Sequence, residues 1–239
     1  MIEFQNVSFA YESGVPVLED LSFTIRDGEA VGLIGANGAG KSTIFKAMLG
    51  LIPVSGTVLV DGVPVNRKNL PEVRRKLGYV LQNSDNQMFM PTVYEDMRFA
   101  PGNYGLPPEE TERRISQVLA QLGLTELRDR YNHKISGGEK RMAAIATILV
   151  MQPEALLMDE PTTALDPANR RAVIRTINGL EQTKLIASHD LDMVLDTCSR
   201  VILLHRGHIA ADGRAEDILR DQALLEANHL ELPLCLAGR

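Results

Sequence analysis

The chain has 239 residues, enough to bury a substantial core, and its 44% hydrophobic and 23% charged residues exclude the disordered and fibrous classes. Its 25 basic and 31 acidic side chains leave a net charge of -6, which argues against a nucleic-acid partner, whose phosphates reward a basic face. The two cysteines, Cys198 and Cys235, belong to no CxxC or Cys/His grouping, so neither a disulfide framework nor a zinc site is expected.

Strand-like runs at residues 2–9, 22–25, 30–34, 57–60 and 78–81 alternate with turn residues, and the first helical pattern starts at Ser42. From about Asn83 to Gln152 the β-type runs stop, and helical patterns occupy 93–99, 108–122 and 137–151. Strand and helix then alternate again: strand 155–158, helix 167–180, strand 184–187, helix 191–198 and strand 201–204. Residues 215–239 read as short helices with a loose end. The pattern predicts one α/β domain: a core of 1–82 and 153–212, a helical insertion of 83–152, and a short helical tail of 213–239. No basic segment followed by an apolar run opens the chain, so no secretory leader is expected. The longest apolar stretch, 142–151, is well short of the about 20 residues that span a bilayer, so membrane attachment is expected to come through partners.

The run Gly35-Ala36-Asn37-Gly38-Ala39-Gly40-Lys41-Ser42-Thr43 fits G-x-x-x-x-G-K-[ST] and lies between a predicted strand and a predicted helix start. Glycines let backbone N–H groups converge on an anion, and the helix N-terminus adds its dipole. Lys41 is placed to reach the β- and γ-phosphates of a nucleotide, and Ser42 to ligate Mg²⁺. The strand 155–158 runs into Asp159 and Glu160; Asp159 is expected to hold Mg²⁺ through water, and Glu160 to orient or deprotonate the attacking water. Two acids at a strand end can also be a solvated turn, and these two motifs alone say only that a nucleoside triphosphate is bound.

Ile135-Ser136-Gly137-Gly138-Glu139, a long apolar helix, the Asp159-Glu160 strand, Thr163-Ala164-Leu165-Asp166 and Ser188-His189-Asp190 follow in that order. The set resembles the ATP-binding cassette ATPases over essentially the whole chain. That resemblance implies a P-loop fold of mixed and parallel sheet core with an antiparallel β subdomain and an inserted α-helical subdomain. It implies ATP and Mg²⁺ as cofactors, and a homodimer or a pairing with a second ATPase of the same kind. Ser136, Gly137, Gly138 and Glu139 would grip the γ-phosphate bound by the opposite subunit, and Asp166 would couple the two sites. Gln82 resembles the glutamine that senses Mg²⁺ and the attacking water, and His189 the switch histidine. Tyr11, in Phe9-Ala10-Tyr11-Glu12, resembles the aromatic on which adenine stacks.

The stretch Gln82-Asn83-Ser84-Asp85-Asn86-Gln87-Met88-Phe89, followed by Pro91-Thr92-Val93 and Asp96, is similar to energy-coupling-factor importers, prokaryotic systems for cobalt, nickel and vitamins. They join two ATPases to a transmembrane coupling protein and a substrate-capture protein on the cytoplasmic face of the cell membrane. Cobalt and nickel systems are the nearest resemblance, helped by the tail His229-Leu230-Glu231-Leu232-Pro233-Leu234, with biotin uptake next. Met88, Phe89, Met90 and Val93 can line a groove for the membrane partner or fill the core of the insertion. The chain departs from the pattern at Ser84 (usually proline), Ala100 (usually glycine) and Thr163 (usually serine or glycine). Lys140-Arg141-Met142-Ala143 replaces the usual basic-basic-Arg-Val order, which leaves open what Arg141 contacts. A soluble cassette protein of translation or DNA repair is the rival class, but such proteins usually carry two cassettes or a long coiled coil, which this chain lacks.

Overall fold

The computed structural model describes residues 1–11 and 14–237. Strands β1 (Ile2–Ala10) and β2 (Pro16–Ile25) pair antiparallel, with Ile2 opposite Ile25 and Phe4 opposite Phe23. The two phenyl rings stack at 4.5 Å and anchor one end of the core. The chain leaves this sheet for β3 (Ala30–Ile34) and helix α1 (Lys41–Met48), then returns with β4 (Ser55–Val60) and β5 (Val63–Pro64), giving the order β2-β1-β4-β5. Helix α2 (Leu70–Lys76) leads into β6 (Leu77–Val80).

Between β6 and the next strand the chain is helical: α3 (Ser84–Gln87), α4 (Val93–Asn103), α5 (Pro108–Leu122) and α6 (Gly137–Leu149). Thr92 and Glu95 form a reciprocal capping box at the start of α4, and Gly123, at φ 68°, ends α5. Buried Asp96 accepts hydrogen bonds from the backbone N–H of Phe89 and Met90 and from the Asn132 amide, fixing the loop before α4. The remaining elements alternate: β7 (Ala155–Asp159), α7 (Pro167–Asn178), β8 (Thr183–Ala187), α8 (Leu191–Thr197), β9 (Arg200–His205), β10 (His208–Arg214), α9 (Ala215–Arg220) and α10 (Gln222–Ala227).

The second sheet has the order β10-β9-β3-β8-β7-β6, parallel except for β10. Strands β7 and β8 are buried at every position, as parallel strands covered on both faces must be. Helix α1 lies in a core shared by the two sheets: Ile44, Phe45 and Met48 join Phe4 and Val58 of one and Val31 and Leu33 of the other. A second core joins Met97, Ile115 and Ile145 of the helices to Val80 and Met158.

Some elements differ from the sequence expectations. Strand β2 begins at Pro16 rather than 22, and α4 continues through Pro101 to Asn103. Neither α2 nor the edge strand β10 was anticipated; β10 is half-exposed and carries Asp212 and Gly213 among small residues, so its alternation is weak. A boundary after residue 212 therefore falls within β10, and the last two tail residues, Gly238 and Arg239, lie outside the described residues, as does Glu12 of the Phe9–Glu12 motif. Among the described residues no helix is long and apolar enough to cross a membrane.

Candidate nucleotide site

Strand β3 delivers the chain to segment 35–40, which arches from the C-terminal end of that interior strand to the start of α1. Gly35 has φ 149°, and a Cβ there would stand 2.4 Å from the Leu204 carbonyl oxygen in β9, so only glycine lets the loop lie this close to the sheet. Gly40, at φ 110°, caps α1 with no side-chain acceptor, leaving the first N–H groups of the helix to an anion. Lys41 Nζ donates to the carbonyl oxygens of Gly35 (2.6 Å) and Ala36 (3.2 Å), so the ammonium is held over the loop's concave side. Burial pushes its pKa down, opposed by the nearby Glu160 and Asp159 carboxylates.

The parallel strands β3 and β7, separated by β8, bring the loop and the acids to one end of the sheet. Ser42 Oγ donates to Asp159 Oδ2 at 3.0 Å, and the Tyr79 hydroxyl donates to the same oxygen at 3.2 Å. Burial raises the Asp159 carboxyl above its ordinary range, and those two hydrogen bonds oppose the shift. Tyr79, whose phenol burial also raises, was not singled out from the sequence; its position three residues before Gln82, at the end of a strand beside β7, was the available signal.

Glu160 has a left-handed backbone (φ 49°), and its N–H donates to Ala187 O at 2.8 Å. Its Oε2 accepts from Ser188 Oγ (3.1 Å), Thr163 Oγ1 (3.3 Å) and the His189 N–H (3.3 Å), and His189 Nδ1 lies 2.8 Å away. With Nδ1–H aimed at the carboxylate, the second ring nitrogen is left for a ligand. These groups surround a cavity of about 630 Å³, to which Asn37, Gly38, Gly40, Lys41, Ser42 and Thr43 contribute the loop side. Gln82, Asp159, Glu160 and His189 form the opposite side. Tyr11 stands at its rim, 45% exposed, with Phe9 edge-on to its ring at 4.8 Å and Lys46 Nζ 3.4 Å from its hydroxyl.

The other predicted residues stand apart from this cavity. Ser136 caps α6 through a capping box with Glu139, and Ser136 and Gly137 are exposed. Gly138 abuts Asn169; a Cβ there would meet that amide within 2.5 Å. Asn169 in turn donates to Asp166, the N-cap of α7, so the two segments touch. The Asn169 backbone N–H and side-chain amide hold the Asp166 carboxyl below its usual range. Two contacts were missed by sequence reasoning. Arg170 forks onto Asp190 (2.6 and 2.8 Å), beside His189; burial opposes ionisation there, but Arg170 and the Met193 N–H still hold the carboxyl below its usual range. Buried Arg141 donates to the carbonyl oxygens of Leu81 and Gln82.

Residues 18–163 match the family model described as ABC transporter. An ATP-binding protein of Geobacter sulfurreducens carrying a provisional ABC-transporter name is 46% identical, over 100% of this chain and 96% of that one. The energy-coupling factor transporter ATP-binding protein EcfA of Methanothermobacter thermautotrophicus is 41% identical, over 98% of this chain and 77% of that one. Among solved structures, cbiO1 of Clostridium perfringens, part of the ABC transporter complex cbiONQ, superposes with a TM-score of 0.85 at 32% identity, over 97% of this chain and 95% of that chain. A strand-loop-helix phosphate cradle, paired acids across the sheet and these relatives agree: the chain belongs to the ABC transporter family, as an ATP-binding and ATP-hydrolysing subunit.

Proposed function

We propose that this chain powers an energy-coupling-factor importer for cobalt or nickel ions, hydrolysing ATP in a dimer whose two sites are each shared between subunits. This reading divides the chain into a nucleotide-binding core of 1–82 and 153–214, with the boundary expected after 212 moved to the end of β10, a helical subdomain of 83–152 and a tail of 215–239. The shared site rests on one observation. The chain presents two helix starts suited to phosphate, α1 inside the cavity and, outside it, the start of α6, where Ser136 and Gly137 are exposed and Gly138 is buried against Asn169. A single copy therefore holds one face of a nucleotide, and a second copy, of this or a related chain, completes it.

In this reading Tyr11 stacks on adenine, the 35–43 cradle holds the phosphates, and Lys41 leaves the loop carbonyls for the β- and γ-phosphates. Ser42 Oγ and Asp159, both hard oxygen donors only 3.0 Å apart, with Gln82 beside them, fit Mg²⁺. No group of three acidic, histidine or cysteine ligands exists among the described residues, which suits an ion completed by water and phosphate oxygens. When bound, Mg²⁺ neutralises phosphate charge. Glu160 then orients and deprotonates the attacking water, His189 supports the γ-phosphate, and Asp166 reports on the neighbouring site. Loss of the γ-phosphate removes what joins the two copies, and the opening is passed to the membrane subunits.

Of the residues that the sequence left open between groove and core, Met88 and Val93 are buried in the core, whereas Phe89 is 60% exposed and packs edge to face at 4.8 Å on Phe99, which is 44% exposed; this aromatic pair is the docking face in this reading. Phe89→Asp or Phe99→Asp is expected to weaken co-purification with the membrane subunits about 10-fold or more, the size of a buried aromatic anchor. Full retention by both variants would remove this face from the assembly.

Import and the metal rest on the resemblance of the segment after Gln82 and of the tail 229–234, and the EcfA and cbiO1 relatives support an ATPase within an energy-coupling-factor or ABC transporter complex. In this reading the chain is a peripheral subunit on the cytoplasmic face of a prokaryotic cell membrane. Vesicles holding the reconstituted complex should accumulate labelled Co²⁺ or Ni²⁺ when supplied with ATP. Accumulation of biotin and neither metal would overturn the substrate assignment while leaving the motor intact.

A further inference from the structure

Arg141 is 4% exposed, yet it carries a charge into the interface between α6 and the end of β6. Burial lowers its pKa, and among the described residues it has no counter-charge and its Nε no hydrogen-bond partner. Among the described residues its hydrogen bonds are to two consecutive carbonyl oxygens, Leu81 (2.7 Å from Nη1) and Gln82 (from Nη2). A buried guanidinium without a carboxylate is an expensive way to fill space, and an apolar side chain of similar length would pack there at less cost. The fork is matched to two carbonyls at the point where the chain leaves the sheet for the helical segment.

The same stretch is tied to α6 through two more of its residues, Gln87 and Asp85. Gln87 accepts from Leu81 N (3.0 Å) and donates to Ala144 O (2.7 Å), and Lys140 pairs with Asp85. Among the described residues of α6, Arg141 is the one that hydrogen-bonds Gln82 itself. It holds the Gln82 backbone, while the Gln82 residue lines the nucleotide cavity. Five residues earlier on its own helix is Ser136, in the exposed turn proposed to face the other subunit. We infer that Arg141 is a positioning residue that ties Gln82 to α6, so that the state of one nucleotide site and the placement of the Ser136–Gly138 turn change together. The inference rests on the proposed role of Gln82 at the cavity.

The test is a double-mutant cycle in the full-length protein, measuring kcat and KM for MgATP. Arg141→Met keeps length and removes both donors; Arg141→Lys keeps the charge and one donor. Arg141→Met should lower kcat about 10-fold with KM for ATP within about twofold, the pattern of a lost interaction that matters in the transition state. Gln82→Ala should lower kcat by a similar factor, and the double variant should be no slower than Gln82→Ala alone. Arg141→Lys should recover part of the rate. If the two losses multiply to about 100-fold, Arg141 acts independently of Gln82 and the inference is overturned while the role of Gln82 stands. If Gln82→Ala keeps full activity, the role of Gln82 fails, and a slow Arg141→Met then overturns the inference separately. Full kcat in Arg141→Met overturns it outright. Should circular dichroism show Arg141→Met unfolded, the cycle is run with Arg141→Lys, for which a loss that vanishes in the Gln82→Ala background supports the inference and a loss that persists, or no loss, overturns it.

Discussion

Glu160→Gln is expected to lower ATP turnover by at least about 100-fold, the usual scale for removing a general base, while ATP still binds. The substitution is nearly isosteric, and one amide oxygen can still accept from Ser188, Thr163 or the His189 N–H, so the loop after β7 keeps its shape. What disappears is the second carboxylate oxygen's basicity and the charge beside His189 Nδ1. The γ-phosphate then persists, and size-exclusion chromatography in MgATP should show a stable dimer that ADP does not support. Normal turnover in this variant would remove Glu160 from the chemistry. Loss of turnover with no dimer in ATP would keep Glu160 and sink the shared site.

Lys41→Ala should raise the dissociation constant for ATP about 100-fold, because the removed ammonium is a partly desolvated charge whose attraction to phosphate is screened less than at the surface. Titration with a fluorescent ATP analogue measures this directly. The carbonyl oxygens of Gly35 and Ala36 lose their Lys41 partner, so a small drop in melting temperature is also expected. A melting temperature lower by many degrees, with affinity unchanged at a temperature where the chain is folded, would mean that Lys41 serves the loop and not the ligand.

Most of the site could be read from the sequence because phosphate chemistry fixes residue types at fixed spacing. The glycine positions of 35–40, Lys41 and Ser42 are set by backbone geometry and charge, and β7 announces Asp159 and Glu160 because a strand covered on both faces has to be an unbroken apolar run. What was not legible depends on tertiary neighbours. Tyr79 matters through a hydrogen bond to an acid 80 residues later. Arg170 is one of many surface-type arginines until Asp190 is placed beside it. Arg141 had a local signal, since helical spacing puts it on the same face as the buried Ala144 and Ile145, but nothing nearby in sequence names the carbonyls it holds. Strand β10 and helix α2 were missed for the opposite reason: each is short or half-exposed, and its local pattern is too faint to separate from a turn.

The left-handed backbone at Glu160 sets conformational preference against chemistry. Glycine would adopt φ 49° without the Cβ crowding that glutamate bears, a difference of roughly 1 kcal/mol. Under the proposed role of Glu160, glycine at this position would relax the main chain and leave a protein that binds nucleotide without cutting it. If Glu160 acts as proposed, the residue that follows β7 serves the reaction at the expense of the main chain it sits in.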